Sequence, residues 1–238
     1  RPDIKGTSTQ LSQHVADPRQ VHWNALMRLL RYLKQTRDHV LRYTLDNTDK
    51  AGRVYGYTDS DFAPKISYKR RSTTGWTFHV HGGILSGKSK GQSRTADSTA
   101  EAELVALNSG AKEAMWLRRA QVELGWEEEN SPPMTLRCDN NAAKQIAEKR
   151  MMSERTKHLD TSYFVIRDFI DDKDVKVERV NTNDNVADIY TKPLGRRKFE
   201  RFRDMMGVVP GAHTRDVTSR DRGSYILLTS RKLNRHGI

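Results

Sequence analysis

The spacing of apolar positions changes several times along the chain, and each change marks an element. Up to about Leu45, the residues Trp23, Leu26, Leu29, Leu30 and Leu33 recur at helical spacing with Arg28, Arg31 and Lys34 between them, which predicts one amphipathic helix. Asn47-Thr-Asp-Lys-Ala-Gly-Arg is rich in turn formers and reads as a linker. From Val54 the pattern alternates. Val54 to Phe62, Thr74 to His81 and Ile84 to Lys90 predict three consecutive strands, the last two joined by a Gly82-Gly83 hairpin. Leu104, Leu107, Ala111, Ala114 and Leu117 then predict a long helix from about Ala100 to Leu124, closed by Gly125. Pro132-Pro133 introduces a short buried strand, Met134 to Cys138, that stops at Asp139. A short helix (Ala142 to Ala147), a longer one (Asp160 to Ile170), a strand (Val175 to Val180) and a last helix beginning near Val186 complete the pattern. Strands in a meander followed by alternating helices and strands imply an α/β fold, a mixed sheet covered by helices. Beyond Pro210 the Thr-, Arg- and Ser-rich sequence has no sustained period and predicts a weakly structured tail.

Charge narrows the partners. The 238 residues carry a formal net charge of +12, and an excess of Lys and Arg attracts polyanions, nucleic acid first among them. Cys138 is the single cysteine, so neither an internal disulfide nor a multi-thiolate zinc site can form, and a reducing compartment fits. No run approaches the ~20 apolar residues that span a bilayer. The N-terminal Arg-Pro-Asp-Ile-Lys lacks the apolar stretch of a signal peptide. A soluble intracellular protein is expected, and a start without methionine suggests a piece of a longer chain.

Four acidic residues stand out by position: Asp59 within the first strand, Glu103 inside the long helix, Asp139 at the end of the Pro-Pro strand and Asp188 at the start of the last helix. A carboxylate in an apolar strand is costly unless it is paired or bound to a cation. Four of them, drawn together by folding, would be reconciled by a shared divalent ion. Mg²⁺ takes oxygen ligands and is completed by substrate phosphates, and two such ions can activate water and stabilise the leaving oxygen of a phosphodiester. Placement alone leaves caps and surface charges as the ordinary alternative.

Six blocks resemble, in order, the signatures of copia-type retrotransposon ribonuclease H domains. They are Tyr57-Thr-Asp-Ser-Asp-Phe-Ala, Arg71-Ser-Thr-Thr-Gly-Trp, Ser98-Thr-Ala-Glu-Ala-Glu-Leu, Leu136-Arg-Cys-Asp-Asn-Asn, Arg155-Thr-Lys-His-Leu-Asp and Val186-Ala-Asp-Ile-Tyr-Thr-Lys-Pro-Leu. The resemblance implies an RNase H-like mixed five-stranded sheet flanked by helices over residues 51–209. It assigns residues 1–50 to the C-terminal end of the preceding reverse transcriptase, and leaves 210–238 as the tail. It also implies that Asp59, Glu103, Asp139 and Asp188 are the metal-binding catalytic residues, holding two Mg²⁺ ions with Mn²⁺ as a substitute. Asp61, two residues along the same strand, goes to the rim because the family's ligand is the first Asp of Asp-Ser-Asp. Glu101 lies about 200° around the helix from Glu103, and the Ala-Glu-Leu block selects Glu103. His158, in the Lys-His-Leu-Asp block, reads equally as a substrate contact or as a half-buried histidine at a helix start. Gly87 and Leu104 depart from the family, which usually carries a tryptophan and a tyrosine there.

Substrate contacts are expected from the basic segments Lys69, Arg70, Arg71, Ser72 and Lys88, Ser89, Lys90, whose mixture of cations and hydroxyls suits phosphates and sugars. Asn140, Asn141 and Ser98 are candidates for reading 2′-hydroxyls, with helix capping as the competing role. Tyr57, Trp76 and Phe78 read as core aromatics. The resemblance thus implies hydrolysis of the RNA strand of RNA/DNA hybrids beside the reverse transcriptase portion of the same polyprotein. It implies no membrane and no small-molecule cofactor, with cytoplasmic virus-like particles or the nucleus as the setting. Two rivals share the fold: a non-catalytic hybrid-binding module, and a transposase or integrase, which the final Ala-Asp-Ile-Tyr-Thr block disfavours.

Overall fold

The structure, a computed structural model, describes residues 1–44, 52–63, 71–148 and 165–211, together with the backbone of 225–227. A 3-10 turn at Pro2–Ile4 leads into α1 (Lys5–Ser12), α2 (Gln20–Gln35) and β1 (His39–Thr44). Then come β2 (Tyr55–Asp61), β3 (Thr73–Val80), β4 (Gly83–Gly91) and the long α3 (Thr99–Glu123). The second half runs β5 (Met134–Cys138), α4 (Asn141–Glu148), α5 (Val165–Asp171), β6 (Val175–Arg179), α6 (Asp188–Thr191), α7 (Arg196–Met205), β7 (Val208–Pro210) and β8 (Tyr225–Leu227).

Five strands form the expected mixed sheet in the order β4-β3-β2-β5-β6. The first three pair antiparallel, while β2, β5 and β6 are parallel. Parallel neighbours need crossovers; α3 serves between β4 and β5, and α4 and α5 lie between β5 and β6. On one face α3 packs Leu104, Leu107, Ala111 and Leu117 against Trp76, Phe78 and Leu136. Leu104, Leu107, Phe78 and Leu136 are fully excluded from solvent, each such burial contributing ~1.5–3 kcal/mol. Leu104 therefore fills the core. The other face is covered by Val186, Ala187, Ile189 and Tyr190 with Phe202, Met206 and Val208.

Sequence punctuation accounts for the ends of α3. The Ser98 hydroxyl accepts from the Glu101 backbone N–H at 3.1 Å, and the Glu101 carboxylate accepts from the Asp97 N–H at 2.7 Å, a capping pair of the kind that Ser and Glu three residues apart form. At the other end Gly125 adopts φ 69°, with Gly125 N–H bonded to Val122 O and Trp126 N–H to Gln121 O, the double closure for which glycine is suited.

Four expectations need correction. The chain before Leu45 is not one helix: α2 stops at Gln35, and β1 follows in a second sheet, β7-β1-β8. Val40, Tyr43 and Thr44 favour an extended backbone, and the helix is closed by Thr36, its C-cap, whose hydroxyl bonds back to Tyr32 O. The β3–β4 turn falls on His81 and Gly82, both at positive φ, rather than on Gly82-Gly83. Gly83 instead lies under Tyr43, where a Cβ would meet the ring at 2.7 Å. The last helix is two: Lys192 is extended (φ −138°, ψ 153°) because it precedes Pro193, so α6 is a single turn and α7 begins afresh. In the region read as tail, β8 pairs with β1.

Helix α5 is described from Val165, so the start placed near Asp160 lies outside the described residues. The N-terminal segment packs on the sheet domain. Asp3 is buried and accepts from Arg1 at 2.8 Å and the Tyr32 hydroxyl at 2.6 Å. Gly6 lies so close to the backbone of Ile189 and Tyr190 that a side chain would have no room.

Candidate active site

Strand register brings the first two carboxylates together. The last parallel pair between β2 and β5 is Tyr57 with Arg137; two residues further along each strand stand Asp59 and Asp139. Asp59 is opposite Gly75 of β3, and that glycine admits α6, since a Cβ there would meet Thr191 Cγ2 at 2.5 Å and Ala187 O at 3.2 Å. Asn185 fixes the approach by donating its side-chain amide to Thr58 O at 2.9 Å. Ser89 adds a bond from its hydroxyl to Tyr190 O at 2.6 Å. The outcome is that Asp188, in the first turn of α6, reaches the two strand aspartates: Asp59, Asp139 and Asp188 offer oxygens that all lie within 4.8 Å of one another.

Glu103 arrives from α3. Gln92 anchors that end of the helix, donating to Ala102 O at 2.9 Å and to Thr74 Oγ1 at 3.1 Å. Glu103 stands outside the tight aspartate group, is 8% exposed, and takes a hydrogen bond from the backbone of Ser60. Its Oε2 is buried without a hydrogen-bond partner among the described residues. Such an atom carries a desolvation cost of ~1–3 kcal/mol or more.

The electrostatics follow from crowding of like charges in a dry place. Burial pushes Asp59 up from the usual carboxylate range, Lys192 and the Thr191 hydroxyl bond pull it back, and Asp188 and Asp139 add to the rise. Burial likewise raises Glu103, assisted by the charges of Asp59 and Asp139. Asp61 is half-buried and raised by burial, with Lys192 opposing the rise and Asp188 adding to it. Cys138, buried beneath, is pushed up to about 12 by burial together with Glu103 and Asp139.

Two lysines that the sequence reading passed over face this cluster. Lys192 Nζ lies 2.9 Å from Asp188 Oδ1 and 3.5 Å from Asp59 Oδ2, and Lys198 Nζ is 2.6 Å from Asp188 Oδ2. In sequence the i,i+4 spacing of Asp188 and Lys192 looks like an ordinary surface ion pair. Burial works against the Lys192 ammonium, but Asp59 and Asp188 more than offset it and hold its pKa above the ordinary lysine value. Asn185, Thr191 and Gln92 are likewise positioning groups without an advance signal in composition or period.

The structure divides the expected substrate contacts. Arg71, Lys88 and Lys90 are exposed, as is Asn141 at the first turn of α4; Lys88 lies 6.0 Å from the centre of the Trp76 ring. Asn140 caps α4, its side-chain oxygen accepting from Ala143 N–H at 3.0 Å. Ser98 is taken up by the α3 cap. Ser72 and Ser89 are buried, the first accepting from Ala63 N–H at 3.2 Å, so both hydroxyls serve the fold and are unavailable to a ligand. Lys69, Arg70 and His158 lie outside the described residues.

Oxygen-only donors of high charge, close together, with Glu103 Oε2 and Asp188 Oδ1 buried and without a hydrogen bond among the described residues, match the demands of a hard divalent cation. Among the described residues no helix is long and apolar enough to cross a membrane.

No family model matches the chain. A solved RNase H1 isolated from compost, LC11-RNase H1, aligns with 63% of this chain and 97% of its own at a TM-score of 0.44 and 13% identity. Among curated proteins, the retrovirus-related Pol polyprotein from transposon TNT 1-94 of Nicotiana tabacum is 37% identical over 208 residues, 87% of this chain. That from transposon RE2 of Arabidopsis thaliana is 33% identical over 209 residues, 88% of the chain. The chain spans 15% and 14% of the lengths of these two relatives. Identity of 37% and 33% over 87% and 88% of its length means that the chain belongs to the copia-type Pol polyprotein family.

Proposed function

We propose that this domain is a ribonuclease H that hydrolyses the RNA strand of RNA/DNA hybrids. The observation that carries the reading is the convergence of Asp59, Asp139 and Asp188 within 4.8 Å, beside a buried Glu103 oxygen that has no hydrogen-bond partner among the described residues. Asp59, Glu103, Asp139 and Asp188 would hold divalent cations, two Mg²⁺ ions with Mn²⁺ as a substitute, which supply Lewis acidity and a deprotonated water for attack on phosphorus. The protein's own contribution is position. Gly75, Asn185 and Gln92 bring α6 and α3 onto the sheet so that the carboxylates meet without further rearrangement, which keeps the reorganisation cost low.

Arg71, Lys88 and Lys90 bind phosphates of the duplex without reading its sequence. Asn140 spends its side-chain oxygen on the α4 cap; its amide N–H groups, with the exposed Asn141, are donors suited to the 2′-hydroxyls that distinguish RNA. In this reading the partner is the reverse transcriptase portion of the same polyprotein, and the setting is a cytoplasmic particle.

The ion pairs of Lys192 and Lys198 favour a second reading, a module that grips hybrid without cutting, because they give Asp188 and Asp59 partners other than a metal. Among the described residues Glu103 has no such ion pair, and this ranks hydrolysis first. Labelled RNA/DNA hybrid, RNA duplex and DNA duplex, each incubated with Mg²⁺, decide between them. Cutting confined to the hybrid, abolished by chelator and by Asp139→Asn, is expected. Tight hybrid binding with intact RNA would leave the binding module as the function.

A further inference from the structure

We propose that Lys192 is a built-in counter-cation of the carboxylate cluster, which an entering divalent ion has to displace, so that this side chain sets the affinity of the site for metal. The inference rests on the metal-dependent reading given above and concerns a residue outside the ligand set.

Its basis is the position of the ammonium. Lys192 Nζ bridges two elements, lying 2.9 Å from Asp188 Oδ1 on α6 and 3.5 Å from Asp59 Oδ2 on β2. These two residues belong to the aspartate group whose oxygens converge within 4.8 Å. The ammonium is therefore placed where it neutralises charge between ligands and competes for the oxygens that a cation would use. Lys198 differs. It touches the other oxygen of Asp188, at 2.6 Å, and the backbone carbonyl of Thr182, at 3.2 Å, so it orients Asp188 from α7 without bridging to Asp59.

The backbone brings the side chain within reach of this position. Pro193 holds Lys192 extended, the chain leaves α6 at that residue, and the long side chain turns back one helical turn onto Asp188. About a third of it remains exposed (32%), which leaves the ammonium a path into solvent when a cation takes its place. A four-carbon stem with a compact charge suits such withdrawal better than a rigid guanidinium.

Two consequences separate this role from simple structural support. Without metal, the lysine stabilises the fold by relieving repulsion between Asp59 and Asp188. With metal, the same charge opposes binding. A positive charge removed from within a few ångström of a divalent ion should tighten its binding by on the order of tenfold even at high effective dielectric.

The test is isothermal titration of Mn²⁺ and Mg²⁺ into metal-free protein without nucleic acid, with thermal melts in chelator and in Mg²⁺. Lys192→Met is expected to bind both ions about tenfold more tightly. It should melt lower than wild type in chelator and show a larger metal-induced rise, as linkage requires. Lys192→Gln should move the same way, so the inference survives a folding defect in either variant. Lys192→Arg, which keeps the charge, should bind no more tightly than wild type, and Lys198→Met, which removes a charge paired with one ligand only, should tighten binding less than Lys192→Met. Equal or weaker binding by folded Lys192→Met and Lys192→Gln, with wild type binding normally, overturns the counter-cation and leaves the nuclease reading intact. Failure of wild type to bind either ion removes both.

Discussion

Glu103→Gln should separate stability from function. The carboxylate is 8% exposed, one oxygen takes the Ser60 backbone bond, and Oε2 has no hydrogen-bond partner among the described residues. Burial and the neighbouring charges of Asp59 and Asp139 all disfavour its ionised form. Glutamine keeps the shape and the acceptor for Ser60, removes the charge, and places two N–H donors among carboxylates. Relieving an unpaired buried group is worth ~1–3 kcal/mol. For a chain of this size each kcal/mol moves the melting temperature by roughly 2–4 °C. In chelator the variant should therefore melt several degrees above wild type. Cleavage should move the other way: losing a group behind a metal ligand already costs ~10–100-fold, so losing a ligand should reduce hybrid cutting by at least ~100-fold. Melts in chelator and in Mg²⁺, paired with hybrid cleavage, give both readouts. A variant that melts below wild type in chelator would refute the reasoning, because it would mean that the ionised carboxylate is satisfied within the metal-free protein.

Acid should weaken the fold through His79, buried and bonded to Thr77 Oγ1 at 3.0 Å, whose pKa is pushed down to about 3 by burial and then by Arg137. The unfolded chain takes up a proton near pH ~6.5 that the native state refuses, so this contribution is whole above that pH and is lost towards pH 3 at about 1.4 kcal/mol per unit. Urea midpoints between pH 6.5 and 5 should fall less steeply in His79→Gln, and parallel slopes would contradict the assignment. Gly110→Ala should destabilise despite gaining ~1 kcal/mol of helix propensity, because its Cβ would meet Thr58 Cγ2 at 2.5 Å and such overpacking costs ~1–3 kcal/mol. Thr58→Ser removes the offending methyl and should rescue it; a Gly110→Ala protein as stable as wild type in urea would show that α3 and β2 are not in contact there.

Much of this architecture was legible because its elements are punctuated by residues with one dominant preference. Alternation gave β2 and β3 to within a residue or two of their observed ends, and Ser98 and Gly125 bracket α3. What escaped reading depends on contacts between distant segments. His39 to Thr44 has strand-forming residues, but the partners of β1 lie at Val208–Pro210 and Tyr225–Leu227, and a local pattern beside a strong helix gave no reason to separate it. The one-residue shift of the β3–β4 turn has the same origin, since Gly83 is required under Tyr43 and so is not free to make the turn.

The site divides along the same line. An aspartate in an apolar strand announces itself because the strand gives it no reason to be there, and the resemblance selected among neighbours that periodicity could not separate. Lys192 makes no such announcement, since a lysine four residues after an aspartate on a short helix is indistinguishable in sequence from an ordinary surface pair. Its meaning comes from Gly75, which has no side chain to read and whose effect is to let α6 descend until Asp188 meets Asp59. Ser72 and Ser89 fail in the opposite direction: hydroxyls beside lysines and arginines suggest phosphate contacts, yet the fold consumes both. Because glycine and serine positions decide how closely two elements approach, a chain of this family could retain all four carboxylates and still lose the site through a substitution at Gly75. Gly75→Ala is thus expected to separate Asp188 from Asp59, with loss of divalent binding by titration while the three other carboxylate-bearing elements keep their fold by circular dichroism. Normal Mn²⁺ binding by that variant would show that the approach of α6 is not governed by this residue.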